Sequence, residues 1–351
     1  MKRTKIVFLY TELASYTIAC LQALAKTENN VELHVFHFPV NPIAPFRFDF
    51  GNYSNQIFFY NIAETDEESI KQSIYSINPK LIICSGWISK LYLKICRLFC
   101  KKCITVLSFD TQRNHSLRQL IGKYYVRSKI TPYFKYAFVP GNPQVEFAKA
   151  IGFKLHQIIS GFYSCDTTLY SSVFSETNKV QKRFVFAGRF VKEKGVSELI
   201  SSFVYLKSTG NLSDWKLVLI GKGDLVIPEN SEIDVIGFLQ PSELSEMMMK
   251  KSVFVLPSLF EPWGVVVQEF AAAGFPLICS DKVGATDTFL INGQNGYLFQ
   301  AGNARSLETA LLKISGLSID KLKEMSLLSH RLAMQITPFD WSEKILKMMK
   351  S

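Results

Sequence analysis

Short runs of β-branched and aromatic residues alternate with helix-period segments along both halves of the chain. This alternation restricts the fold to parallel sheets covered by crossover helices. In the first half, strands are predicted at 5–10, 31–36, 81–84, 104–107 and 136–139, with a helix over 13–25 between the first two. In the second half they fall at 183–187, 216–220, 233–236, 253–256 and 276–278, separated by helices over 196–206, 241–249 and 265–273. A chain of 351 residues suffices for two such cores. The Ser- and Thr-rich stretch 164–178 has no periodicity and marks the junction. The expected organisation is a Rossmann-like α/β domain over 1–168 and a second over 169–334, with an amphipathic helix in 335–351 packing back on the first.

With 48% apolar and 20% charged residues, a disordered chain is excluded. No apolar run approaches the ~20 residues of a membrane span. The basic start, Met1 to Lys5, resembles that of a signal peptide, but the five apolar residues after it make a first strand. Seven scattered cysteines fit a reducing, cytoplasmic setting. The net charge of +10 is uneven: residues 1–176 hold 20 Lys and Arg against 12 Asp and Glu, residues 177–351 hold 20 against 18. Such a first half attracts phosphate-rich partners: anionic lipid, nucleic acid or a phosphorylated substrate.

Ligands of open parallel sheets lie beyond the carboxyl ends of the strands. After the strand at 183–187 comes Gly188-Arg189, then Lys194-Gly195 before a helix, a planar fork and a point charge suited to two adjoining phosphates. After the strand at 253–256 comes Pro257-Ser258, then Glu261-Pro262-Trp263-Gly264-Val265, where Gly264 lets a phosphate approach the N–H groups of a helix start. Glu269, in the second turn, is placed to accept hydrogen bonds from two vicinal hydroxyls such as those of ribose. Glu261 is placed to reach hydroxyls beyond the phosphates. Taken singly, each glutamate reads equally as part of a solvated loop or helix face.

Glu261 and Glu269 form E-x7-E. Together with Gly188-Arg189, Lys194-Gly195, Gly221-Lys222-Gly223-Asp224, Gly237-Phe238-Leu239 and Asn292-Gly293-Gln294-Asn295-Gly296, they stand in the order found in the donor site of retaining GT-B glycosyltransferases of family 4, which residues 183–300 resemble. The resemblance implies two Rossmann-like domains facing across a cleft and transfer of a sugar from a nucleoside-diphosphate sugar to a glycan or lipid-linked glycan hydroxyl, in surface polysaccharide or lipopolysaccharide synthesis. It further implies that Arg189 and Lys194 bind the diphosphate, Glu261 the sugar and Glu269 the ribose, with Gly264 and Val265 offering backbone donors and Gly188, Gly221 and Gly237 lining the site. In 280–286, at a usual glycine-rich loop, only Gly284 is kept. There is no Asp-x-Asp and no divalent ligand spacing, so neither metal nor other cofactor is expected.

The first half departs from that family: Tyr10-Thr11-Glu12-Leu13 replaces a glycine-rich turn, and Ser108-Phe109-Asp110-Thr111-Gln112 stands where a histidine is common. Asp110 is therefore a candidate for the acceptor hydroxyl, with Glu12 and His115 beside it. Lys90, Lys94, Arg97 and Lys101 share one helical stripe and Leu91, Ile95, Leu98 and Phe99 another, as in an interfacial helix on an anionic membrane or a crossover helix packed on the sheet. The alternatives are a GT-B nucleotide-sugar epimerase, which E-x7-E argues against, a basic nucleic-acid-binding protein without a recognition signature, and an iron–sulfur site at Cys96, Cys100 and Cys103 on what reads as one continuous helix. No nucleic-acid partner is expected.

Overall fold

The computed structural model describes residues 3–28, 30–42, 45–48, 55–113, 116–177 and 179–350. The chain forms two compact units, one of Met1–Ser164 with Ile336–Ser351, the other of Cys165–Gln335.

The first unit holds strands β1 (Thr4–Tyr10), β2 (Val31–His37), β3 (Ile57–Asn61), β4 (Leu81–Ser85), β5 (Ile104–Ser108), β6 (Tyr136–Val139) and β7 (Ile158–Ser160). Helices α1 (Ser15–Thr27), α2 (Glu67–Ile77), α3 (Lys90–Phe99), α4 (Leu117–Lys129) and α5 (Asn142–Ala150) connect them. All neighbours are parallel, in the order β3-β2-β1-β4-β5-β6-β7. Alternate residues of β1 enter opposite cores, Val7 and Leu9 on the side of α2 and α3, Ile6 and Phe8 on the side of α1.

The second unit begins with α6 (Thr167–Ser171) and contains β8 (Arg183–Ala187), α7 (Val196–Ser208), β9 (Lys216–Ile220), β10 (Ile233–Ile236), α8 (Pro241–Met248), β11 (Val253–Leu256), α9 (Val265–Ala272), β12 (Leu277–Ser280), α10 (Thr286–Phe289), β13 (Gly296–Phe299), α11 (Ala304–Ser315) and α12 (Ile319–Ala333). Its parallel sheet runs β10-β9-β8-β11-β12-β13. The last helix, α13 (Pro338–Lys350), belongs to the first unit, where Trp341, Ile345 and Met348 are buried with Phe8 and Phe138 and α13 packs along α1.

Three strands escape the sequence pattern. β3 and β7 are edge strands whose side chains are mostly half-buried, and β13 begins at a glycine inside a turn-rich stretch. α3 packs on the sheet, one of its two sequence readings. Tyr92, Ile95, Cys96 and Phe99 are buried against the sheet, and the Tyr92 hydroxyl donates to the backbone oxygens of Tyr10 (3.2 Å) and Phe36 (3.1 Å). Lys94 pairs with Glu67 of α2 at 3.0 Å and Arg97 lies over the Tyr133 ring, while Lys90 and Lys101 are exposed. The helix is thus a crossover helix, with Leu98 left 44% exposed. Cys96, buried beside Cys84, is part of that packing; among the described residues no three His, Cys, Asp or Glu side chains gather as metal ligands.

Candidate active site

Strand order in the second sheet reverses direction between β8 and β11, and crevices at such reversals are where parallel sheets hold ligands. The loops leaving these two strands carry the pairs Arg189/Lys194 and Glu261/Gly264. Gly195 brings the loops together: it caps α7 with φ +66°, and a Cβ there would stand 2.2 Å from the Pro257 carbonyl oxygen. The Leu259 N–H donates to the Glu193 carbonyl at 2.8 Å, which seals the contact. Lys194 is thereby placed against Glu261, and the two form an ion pair, with side chains 16% and 13% exposed. The Ser258 hydroxyl donates to the same carboxylate oxygen at 3.4 Å.

The loop after β12 joins from the other side. Its Lys282 carbonyl accepts from the Glu261 N–H (3.0 Å), its Gly284 N–H donates to the Glu261 carbonyl (3.1 Å), and its Ala285 N–H donates to the Trp263 carbonyl (2.9 Å). The 261–263 segment is thus clamped like an extra strand, and it delivers Gly264, φ +93°, as N-cap of α9. A Cβ on Gly264 would press on Glu261 Cγ at 3.0 Å. The N–H groups of the first helical turn have no intrahelical partners, and with Lys194 and the exposed Arg189 they make a setting for negative charge.

Glu269 does not lie on a solvated helix face, one of its two sequence readings. It is only 9% exposed, and its carboxyl is hydrogen-bonded by the Tyr170 hydroxyl of α6. Burial pushes it up to about 7, the Tyr170 hydrogen bond pulls the other way, and nearby Asp166 adds to the rise. Tyr170 is the site residue that sequence reasoning missed; an aromatic four residues after the Asp166 helix cap was its only signal. Next to Glu269, the buried Gln268 amide donates to the Ala333 carbonyl (3.0 Å) and accepts from the Cys165 N–H (2.8 Å), which fixes the rotation of α9.

This burial has a pH signature. A carboxyl raised from 4.5 to about 7 stabilises the fold fully below pH 4.5, and that contribution is lost as pH rises through 7. The whole effect amounts to roughly 3 kcal/mol. Thermal melts between pH 5 and 8 are expected to show a falling midpoint that Glu269→Gln flattens; parallel profiles for the two proteins would contradict the buried, protonated carboxyl.

Gly221 and Gly237 meet at a cavity of about 820 Å³ lined also by Phe190, Lys222, Leu225 and Val235. The Gly188 N–H donates to the Ile220 carbonyl (2.9 Å) and the Gly221 N–H to Ile236 (2.9 Å), so the glycine turns extend the β8-β9-β10 ladder beyond its carboxyl end. The Asn292–Gly296 turn is structural: Asn295 accepts from the Ile291 N–H (2.7 Å) and donates to the Phe289 carbonyl (2.9 Å).

Within the second unit the structure therefore gathers Lys194, Glu261 and Gly264. The first unit holds the remaining candidates. Asp110, past β5, accepts from the Tyr163 hydroxyl at 3.3 Å, and its backbone carbonyl accepts from Gln144 at 3.0 Å. Burial and then Asp110 hold the Tyr163 phenol well above its ordinary range. Glu12 is exposed past β1, with Asn41 donating to it at 3.5 Å. His115 lies outside the described residues.

Comparison with known proteins covers this same region: residues 172–326 match the family described as glycosyl transferases group 1. An uncharacterized glycosyltransferase of Methanocaldococcus jannaschii is 28% identical over 211 residues, 57% of this chain and 56% of that one. The capsular polysaccharide biosynthesis glycosyltransferase CapM of Staphylococcus aureus is 26% identical over 176 residues, 44% of this chain and 45% of its own. The chain thus spans about half the length of these curated relatives. Anabaena HepE, solved with UDP and glucose, has a TM-score of 0.72 at 14% identity over 99% of this chain and 100% of that one. The fold of the chain is accordingly GT-B, two parallel-sheet α/β domains.

Proposed function

We propose that the chain is a retaining glycosyltransferase that moves a sugar from a nucleoside-diphosphate sugar to a glycan hydroxyl in surface polysaccharide or lipopolysaccharide synthesis. The observation that carries this reading is the meeting of Lys194, Glu261 and the start of α9 at the β8/β11 reversal, within the residues that match glycosyl transferases group 1. CapM's name, and the sugar nucleotide in the HepE crystals, favour a glycan acceptor and a nucleotide-sugar donor.

In the proposed reaction the bond from the anomeric carbon to the diphosphate oxygen breaks, and its electron pair leaves with the nucleoside diphosphate. The acceptor oxygen bonds to that carbon on the face just vacated, and the acceptor proton passes to the departing phosphate oxygen. Arg189, Lys194 and the Gly264 and Val265 N–H groups offset the growing phosphate charge. Glu261 holds the sugar while it carries oxocarbenium character, and Glu269 the ribose. Gly188, Gly221 and Gly237 let the nucleotide lie close to the backbone. Asp110 and Glu12 hold the acceptor hydroxyl. The cations and helix start do the work a divalent ion would do, so we propose metal independence. Seven thiols and a nucleotide-activated donor suit the cytoplasm, on the inner face of the membrane where a lipid-linked acceptor is presented.

The test is turnover of nucleotide sugars with candidate glycans, followed by NMR of the product anomer. Acceptor-dependent transfer with retained configuration and no loss in EDTA is expected. Inversion, EDTA inactivation reversed by Mn²⁺, or acceptor-independent isomerisation of the donor would each refute the corresponding part.

A further inference from the structure

α4 turns its apolar side outward. Leu117, Leu120, Ile121, Tyr124 and Tyr125 follow the i, i+3, i+4, i+7, i+8 spacing that ordinarily faces a core, yet they are 79%, 38%, 74%, 64% and 63% exposed. Among the described side chains of this helix only Val126, on the opposite side, is buried. The stripe is too regular to be scattered surface residues. Its charge surroundings say what covers it. Between Asp110 and Glu146 the chain carries six cations, Arg113, Arg118, Lys123, Arg127, Lys129 and Lys135, and no carboxylate. Arg127 and Lys129 are exposed, and Lys123 lies over the Tyr124 ring at 5.1 Å, at the edge of the stripe.

We infer that α4 is a membrane-docking helix that lies in the interface of an anionic phospholipid bilayer. Leu117, Ile121 and the tyrosines enter the headgroup and acyl boundary, and Lys123, Arg127 and Lys129 meet the lipid phosphates. Two tyrosines at one level suit that boundary, since each ring is apolar and each hydroxyl stays wet. A nucleic-acid surface has no use for exposed Leu117 and Ile121, and a second copy of the chain would set like charges against each other.

The test is co-sedimentation of the full chain with phosphatidylcholine vesicles, with and without phosphatidylglycerol. Binding is expected only with phosphatidylglycerol and is expected to weaken with salt. Ile121→Glu should reduce partitioning at least about tenfold. Neutralising Lys123, Arg127 and Lys129 together should reduce it about a hundredfold, near fivefold for each charge. Thermal stability and nucleotide-sugar binding should be unchanged in both variants, because the replaced side chains lie on the surface. Equal binding to neutral vesicles, insensitivity to Ile121→Glu, or retention of single-stranded RNA or a dimer in place of vesicles would overturn the inference. Because the readout is lipid binding, failure here leaves the glycosyltransferase reading intact, and failure of that reading leaves this one standing.

Discussion

Lys194→Ala is expected to lower kcat/KM for the nucleotide sugar by about 10²–10³-fold, the usual loss when one preorganised group facing developing charge is removed. Lys194 has two roles in the site: it meets the departing phosphate, and it neutralises the half-buried Glu261 carboxylate. Removing it alone leaves Glu261 without its cation, so part of any loss reflects that carboxylate. The double variant Lys194→Ala/Glu261→Gln separates the two effects. If Lys194 only balanced Glu261, the double variant would match the Glu261→Gln single variant in both fold stability and donor affinity. If it binds diphosphate, the two agree in stability and the double variant binds donor more weakly. Arg189→Ala should also lower kcat/KM, but without a change in melting temperature, because its side chain is exposed. Wild-type kinetics in both single variants would contradict the site.

Gly195→Ala is the second large effect. The new Cβ would stand 2.2 Å from the Pro257 oxygen and 2.9 Å from its carbon, both backbone atoms held by the end of β11, and φ is +66°. Neither partner can yield without pulling the β8 and β11 loops apart. A loss on the order of 3 kcal/mol follows from a left-handed non-glycine residue plus a forced backbone shift. Because the same shift separates Lys194 from Glu261, donor affinity should fall with stability. Gly293→Ala is the matching control: φ is +79°, but no atom lies within 4 Å of its Cβ, so it should cost about 1 kcal/mol and leave donor binding alone. Denaturant melts and titration calorimetry on the two variants measure this difference, and similar losses in both would mean the loop contact is unimportant.

Strands β8 to β11 of the second sheet are legible in the sequence to the residue, since they are short, mostly apolar runs closed by a glycine or proline, whereas β13 of the same sheet is not. The loops after β8 and β11 are legible for the same reason: Gly188, Gly195 and Gly264 punctuate the chain where cations and carboxylates follow a strand. Contacts between distant segments are not legible. Nothing local announces that Tyr170 reaches Glu269, or that the carboxyl is buried as a result. Periodicity also leaves open which side of a helix packs inward. α3 and α4 both carry an apolar stripe with cations beside it; α3 buries Ile95 and Phe99 of its stripe on the sheet, and α4 presents its own to solvent. Only the tertiary structure separates the two.

Arg189, Lys194 and the start of α9 are expected to hold a diphosphate whose attached sugar is lost in the reaction. The decisive experiment is a crystal structure with an unreactive nucleotide-sugar analogue. Phosphate oxygens are expected within hydrogen-bond distance of Lys194 Nζ, Arg189 and the Val265 N–H, with the Lys194–Glu261 pair opened and Glu261 turned to the sugar. A nucleotide bound elsewhere in the chain, with Lys194 still closed on Glu261, would contradict it.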